Sequence, residues 1–118
     1  MSVKYSQDIP AVPMKVGTGV SKAVLISDAE APNFAMRKFT IESGGYMPRH
    51  FNLVEHEQYV LKGKAIVTID DEPNEVQAGD VVFIPAEVRH SYQTIGDEDF
   101  EFLCLVPNKA DKTILEEK

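Results

Sequence analysis

Cysteine, histidine and cationic side chains are all scarce in this chain of 118 residues, and long apolar runs are missing. The single cysteine, Cys104, cannot form an internal disulfide, so a reducing cytoplasm is the expected compartment. Twelve Lys and Arg against nineteen Asp and Glu leave a formal net charge of −7. That balance speaks against nucleic acid, whose binders gather cations on one face, and equally against an anionic membrane surface. No apolar stretch approaches the roughly 20 residues of a membrane helix, and the opening residues 1–8 lack the apolar core of a signal peptide. A phosphate-binding loop, a Ser–His–Asp arrangement and a zinc-ribbon cysteine pattern are all missing. No carboxylate pair stands out as an acid–base couple. The remaining composition, 43% hydrophobic and 26% charged, is that of one globular domain with one core.

Helical patterning is nearly absent. Phe34–Glu42 alternates as a strand, which Gly44-Gly45 is expected to end. Gln58–Lys62 and Ala65–Ile69 are rich in β-branched and aromatic residues, with Gly63-Lys64 as a bend between them. Residues 70–74 read as a turn, and Val81–Ile84 as an apolar run stopped by Pro85. His90–Ile95 and Phe100–Val106 flank Gly96-Asp97 and are expected to pair as a hairpin. Short strands at this spacing predict an all-β sandwich or barrel. Its division is residues 1–30 as an arm with edge strand, 31–107 as the barrel and 108–118 as a tail. Val20–Ile26 reads as that strand, and the arm could add an edge to a partner subunit. The polar tail is expected as a frayed helical turn or without fixed structure.

All three histidines, His50, His56 and His90, lie in two turn-framed segments. Neutral imidazole is the commonest protein ligand for transition metals, so three that exhaust the supply point to one metal site with open positions. Period two puts position 52 on the face of His50, and Tyr92 and Thr94 on the face of His90. Because only neutral imidazole binds, metal affinity is expected to fall on acidification through about pH 5 to 7.

Gly44-x5-His50-x-Asn52-x3-His56-x6-Gly63 resembles the first cupin motif, Gly-x5-His-x-His-x3–4-Glu-x6-Gly. Gly79-x5-Pro85-Ala86-Glu87-Val88-Arg89-His90 resembles the second, Gly-x5-Pro-x-Gly-x2-His-x3-Asn, with Glu87 for the glycine and Thr94 for the asparagine. More narrowly, residues 31–37, 55–57, 59–63 and 101–105 are similar to small thermophilic manganese-binding cupins with a four-histidine site. The resemblance implies a double-stranded β-helix, the jelly-roll barrel of the cupins, assembled as a homodimer. It also implies His56 as ligand in place of the motif's glutamate; Glu57 is the alternative under the longer spacing, but faces out when His56 faces in. Asn52 stands where the motif has its second histidine, and its amide oxygen could bind the ion, bind through water, or only shape the turn.

The resemblance places Phe102 and Cys104 on the pocket wall; from composition alone both are equally ordinary core residues. Arg37 could meet an anionic group of a ligand, the alternative being a solvated surface arginine. Glu55 and Glu57 could orient His56 from outside or be solvated. No catalytic group beyond the metal is expected. The reading is a metal-dependent, dioxygenase-like oxidoreductase acting on a small, partly apolar molecule. The ion is Mn or Fe in first place, with Ni, Co, Cu or Zn as further candidates. A non-catalytic small-molecule-binding cupin and a metal-dependent isomerase are the alternatives.

Overall fold

Alternation between buried and exposed side chains runs through most strands of the computed structural model, which describes residues 1–109 and 111–116. One 3-10 turn at Ser6–Asp8 precedes ten strands. They are β1 (Val12–Pro13), β2 (Thr18–Ile26), β3 (Phe34–Asn52), β4 (His56–Lys62), β5 (Lys64–Ile69), β6 (Glu72–Gln77), β7 (Val81–Ile84), β8 (His90–Ile95), β9 (Phe100–Pro107) and β10 (Thr113–Leu115). On β9, Phe100, Phe102, Cys104 and Val106 are buried and the residues between them are half-buried. Among the described residues no helix is long and apolar enough to cross a membrane.

The strands form one curled sheet in the order β6-β5-β8-β3-β9-β4-β7, with β2 and β10 also on β3 and β1 on β2. Its two wings share β3. The first half of β3 pairs with β9 from Phe34↔Pro107 to Ile41↔Phe100, and its second half pairs with β8 at Tyr46↔Gln93 and Met47↔Tyr92. The wings face each other across one core, in which Ala65, Val67 and Tyr92 of one meet Val60, Phe102 and Cys104 of the other. This is the double-stranded β-helix that the motifs imply.

Three local expectations are corrected. Gly44-Gly45 does not end the strand; with Gly44 at φ +82° the chain bends and carries β3 from one wing into the other. The four residues 96–99 join β8 to β9, but the two strands do not pair as a hairpin. β8 lies between β3 and β5, and β9 between β3 and β4. Their inward residues meet face to face instead, with the Tyr92 and Phe102 rings stacked at 5.3 Å. The turn expected at 70–74 shrinks to Asp70-Asp71, both at positive φ, and Glu72, Pro73 and Asn74 already belong to the outer strand β6. Such a two-residue, left-handed pair matches the twist of a hairpin, and proline is tolerated at a sheet edge.

The arm adds its edge strand within its own chain, and the tail is more ordered than its polarity suggests. Val12–Pro13 pairs with Lys22 and Ser21 of the same chain. In the tail, Thr113–Leu115 pairs with Asn52, Phe51 and His50, while residues 110, 117 and 118 lie outside the described residues.

The two glycines of the first motif make different demands. Gly63 has φ +80°, and a Cβ there would stand 2.3 Å from the Asp99 carbonyl oxygen; Gly44, at φ +82°, has nothing within 4 Å. Gly44→Ala should therefore lose only the left-handed penalty of about 1–2 kcal/mol. Gly63→Ala should add an overpacking cost, for a total of about 2–5 kcal/mol. Urea unfolding of both variants checks this; equal losses would contradict it.

Candidate metal centre

The site is built where β3 ends, β4 begins and β8 begins. His50 and His90 are direct cross-strand partners, and their ring centroids lie 4.2 Å apart. His56, the first residue of β4, brings its ring to 6.2 Å from that of His90. His50 faces inward because of a register shift. Inward positions on β3 are odd at Phe39, Ile41 and Met47, and even at His50 and Asn52. Between Met47↔Tyr92 and His50↔His90 the strand holds one residue more than its partner, a bulge at Pro48-Arg49. Proline fits there because the bulge needs no ladder donor.

Two imidazoles are oriented by their own backbone. His50 Nδ1 donates to the Pro48 carbonyl at 2.7 Å, and His90 Nδ1 donates to the Val88 carbonyl at 2.9 Å. A carbonyl oxygen can only accept, so Nδ1 carries the proton in both and Nε2 keeps its lone pair. His56 Nδ1 stands 3.4 Å from Cys104 Sγ, which can donate or accept, so this tautomer is not fixed. The Asn52 amide nitrogen donates to Thr113 Oγ1 at 2.8 Å.

Four buried side-chain atoms among the described residues lack any hydrogen-bond partner, and three belong here: Asn52 Oδ1, His56 Nε2 and His90 Nε2. Buried polar atoms without partners cost about 1–3 kcal/mol each, so three on one cavity form a set of donors that fits a metal ion. Among the described residues no group of three or more His, Cys, Asp or Glu side chains stands placed to hold a metal ion. The terminal torsion of histidine is soft, and ring rotation would be needed to bring the three imidazoles onto one ion.

Burial keeps the rings neutral. It lowers His50 below the usual 6.5, partly offset by the bond to Pro48. It lowers His56 to about 4, assisted by the Arg37 charge, and His90 to about 3, assisted by His50. At His56 and His90, proton competition with a metal would thereby be moved below the pH 5 to 7 window expected from unperturbed histidine.

Three of the four expected pocket residues, Arg37, Tyr92 and Phe102, line one cavity, and Cys104 does not. A cavity of about 150 Å³ is lined by the three histidines, Asn52, Arg37, Tyr92 and Phe102. Phe39, Phe102 and Tyr92 stack in sequence, each pair of centroids 5.3 Å apart with rings 13° from parallel. Fully buried Cys104 lies just behind this wall, taking hydrogen bonds from Arg37 Nη2 at 3.3 Å and Gln58 Nε2 at 3.7 Å. Gln58 also reaches the Tyr92 hydroxyl at 2.7 Å. Burial pushes the Cys104 thiol and the Tyr92 hydroxyl up, so both stay protonated. Arg37 is half-buried with its guanidinium 5.2 Å over the Phe39 ring, not a solvated surface residue. Glu55 and Glu57 are exposed.

Lys22, Gln58, Asp111, Lys112 and Thr113 line the cavity too, and none was singled out from sequence. A repeated signal was available for two further residues. Pro48-Arg49-His50 and Val88-Arg89-His90 share an Arg-His pair, and both arginines contact Glu116, Arg89 Nε at 2.9 Å.

The fold and its sequence have recognisable relatives. The oxalate decarboxylase OxdC of Bacillus subtilis is 33% identical over 87 residues, 64% of this chain and 23% of that protein. The uncharacterized protein MJ1618 of Methanocaldococcus jannaschii is 36% identical over 50 residues, 42% of this chain and 40% of that protein. The chain thus spans less than half the length of either relative. Among solved structures, the polyketide cyclase RemF from Streptomyces resistomycificus is similar with a TM-score of 0.88 at 25% identity, covering 100% of this chain and 88% of RemF. A protein of Thermotoga maritima described as a predicted oxalate decarboxylase has a TM-score of 0.80 at 24% identity, covering 90% and 98%, a likeness of fold. Residues 37–106 match the cupin domain, and the chain belongs to the cupin family.

Proposed function

We propose that this cupin is a metal-dependent enzyme acting on a small, partly apolar molecule. Nε2 of His50, His56 and His90 would hold one divalent transition ion, with Asn52 Oδ1 as a neutral fourth donor. The supporting observation is the coincidence of three orphaned buried donors on one cavity. When bound, an ion on neutral ligands keeps its full charge and supplies Lewis-acid or redox chemistry. Mn or Fe is the preferred ion, with Ni, Co, Cu and Zn compatible with imidazole nitrogen. The chain's own part is to orient two rings through Pro48 and Val88, fix the Asn52 amide through Thr113, and exclude water with the aromatic wall.

The proposed reaction class is oxidation with dioxygen as oxidant. A non-oxidative reaction on the same ion is the second reading, favoured by the decarboxylase and cyclase named among the relatives. Oxygen uptake during turnover supports the first; turnover without it assigns the second. The proposed compartment is the cytoplasm, in keeping with the unpaired, buried Cys104.

The proposed assembly is a homodimer. The outer face of β4, β7 and β9 exposes Tyr59, Leu61, Val81 and Phe83 beside half-buried Leu103 and Leu105, an apolar patch suited to a second copy.

Elemental analysis after loading with Mn(II) or Fe(II) should find one ion per wild-type chain and almost none in His50→Ala, His56→Ala or His90→Ala. Asn52→Ala should weaken affinity about tenfold, and Asn52→Asp should restore or exceed it by adding charge. Undiminished metal in the three histidine variants would overturn the site. Protons supply a second check. Folded His56 and His90 titrate near 4 and 3, whereas unfolded histidine titrates near 6.5. The unfolded chain therefore binds more protons between these values, so their contribution is full above pH 6.5 and drains as pH falls. The Tm of metal-free protein should drop by several degrees from pH 6.5 to 5, and His90→Asn should flatten that slope; an unchanged slope would contradict buried neutral rings. Light scattering should report a dimer that Phe83→Lys converts to monomer, and a wild-type monomer would refute the assembly.

A further inference from the structure

The cavity carries one more feature: of its three cations, Lys112 is exposed, whereas Lys22 and Arg37 are half-buried and form no salt bridge among the described residues. Lys22 of β2 pairs with Phe39, and Arg37 of β3 pairs with Val24, so Lys22 and Arg37 are diagonal neighbours on adjacent strands. Arg37 Nη2 is spent on the Cys104 thiol, a weak acceptor, and Arg37 Nε is buried with no partner at all. Burial and the Arg37 charge both lower the Lys22 pKa, the sign of two like charges held close. Asp111 is the one carboxylate on the cavity wall among the described residues. Its Oδ1 accepts from the Leu53 and Lys112 amides, and its Oδ2 stands 4.0 Å from His56 Nε2. Its charge partly offsets the lowering of the Lys22 pKa, but it forms no salt bridge with either cation.

Holding two unpaired cations in a half-buried cavity is costly, and in a chain with nineteen carboxylates a partner was easily supplied. We infer that Arg37 and Lys22 form a subsite for the carboxylate of an organic acid whose flat, apolar body lies against the Phe39–Phe102–Tyr92 wall. The planar guanidinium fork matches a carboxylate in two parallel hydrogen bonds, and the lysine adds a point charge. A cavity of about 150 Å³ can take one benzene ring, so the class is a small aromatic or otherwise planar acid. That its far end reaches the imidazoles and an ion rests on the metal reading above; the carboxylate subsite does not.

The test is calorimetric titration of the full chain with benzoate, benzyl alcohol, benzylammonium and inorganic phosphate. Benzoate should bind about tenfold tighter than benzyl alcohol, with benzylammonium weakest. Arg37→Gln and Lys22→Met should each remove most of that preference while benzyl alcohol binding stays unchanged. Lys22→Met alters a half-buried side chain that makes no hydrogen bond among the described residues, so it keeps the test decisive should Arg37→Gln fold poorly. Equal binding of benzoate and benzyl alcohol, or a preference that survives both substitutions, would overturn the subsite. Phosphate binding tighter than benzoate would overturn the carboxylate class. The His90→Ala variant separates the two readings. A preference lost there but kept in both cation variants places the acid on the ion and sinks the subsite alone. A preference retained there, with no metal found in wild type, sinks the metal reading alone.

Discussion

One extra residue in β3 decides whether an arginine or a histidine faces the interior. Without the bulge at Pro48-Arg49, the odd-numbered face that buries Ile41 and Met47 would bury Arg49 and turn His50 outward. The same kink brings the Pro48 carbonyl to His50 Nδ1, and the Val88 carbonyl serves His90 in the same way. Backbone geometry thus sets which ring nitrogen is left facing the cavity. The arginines between these carbonyls and rings both contact Glu116, tying the segment after β10 to the two histidine-bearing stretches.

The cavity that results is lined by two chemically different sets of side chains. One presents neutral imidazoles and an amide oxygen, kept neutral by burial and able to take a cation. The other presents Arg37 and Lys22, able to take an anion. The stacked rings of Phe39, Phe102 and Tyr92 form the aromatic part of its lining. Under the proposed reading, an ion and an organic acid would be complementary occupants of such a space.

The strands and the histidine cluster were legible because both depend on short-range pattern. Period two shows which residues of a strand share a face, and glycine and proline show where the chain turns. What failed were statements about which strands are neighbours. His90–Ile95 and Phe100–Val106 are adjacent in sequence, yet β8 and β9 lie in opposite wings, so their partners come from β3, β4 and β5. Thr113, Asp111 and Lys22 were missed for the same reason: they reach the cavity from segments remote in sequence. The tail misled because its polarity is that of an exposed edge strand, whose burial is slight. Glu87, where the cupin motif has glycine, sits at φ 68° and gives its N–H to the Asn52 carbonyl, so the left-handed turn survives without the residue that best tolerates it.

The most direct measurement is the tautomeric state of the imidazoles by nitrogen-15 NMR on metal-free protein at pH 7, repeated with Zn(II). The account predicts neutral rings with the proton on Nδ1 for His50 and His90, and a Zn(II)-induced shift at Nε2 of all three histidines. Protonation at Nε2 in His50 and His90, or Nε2 signals indifferent to the ion, would contradict it.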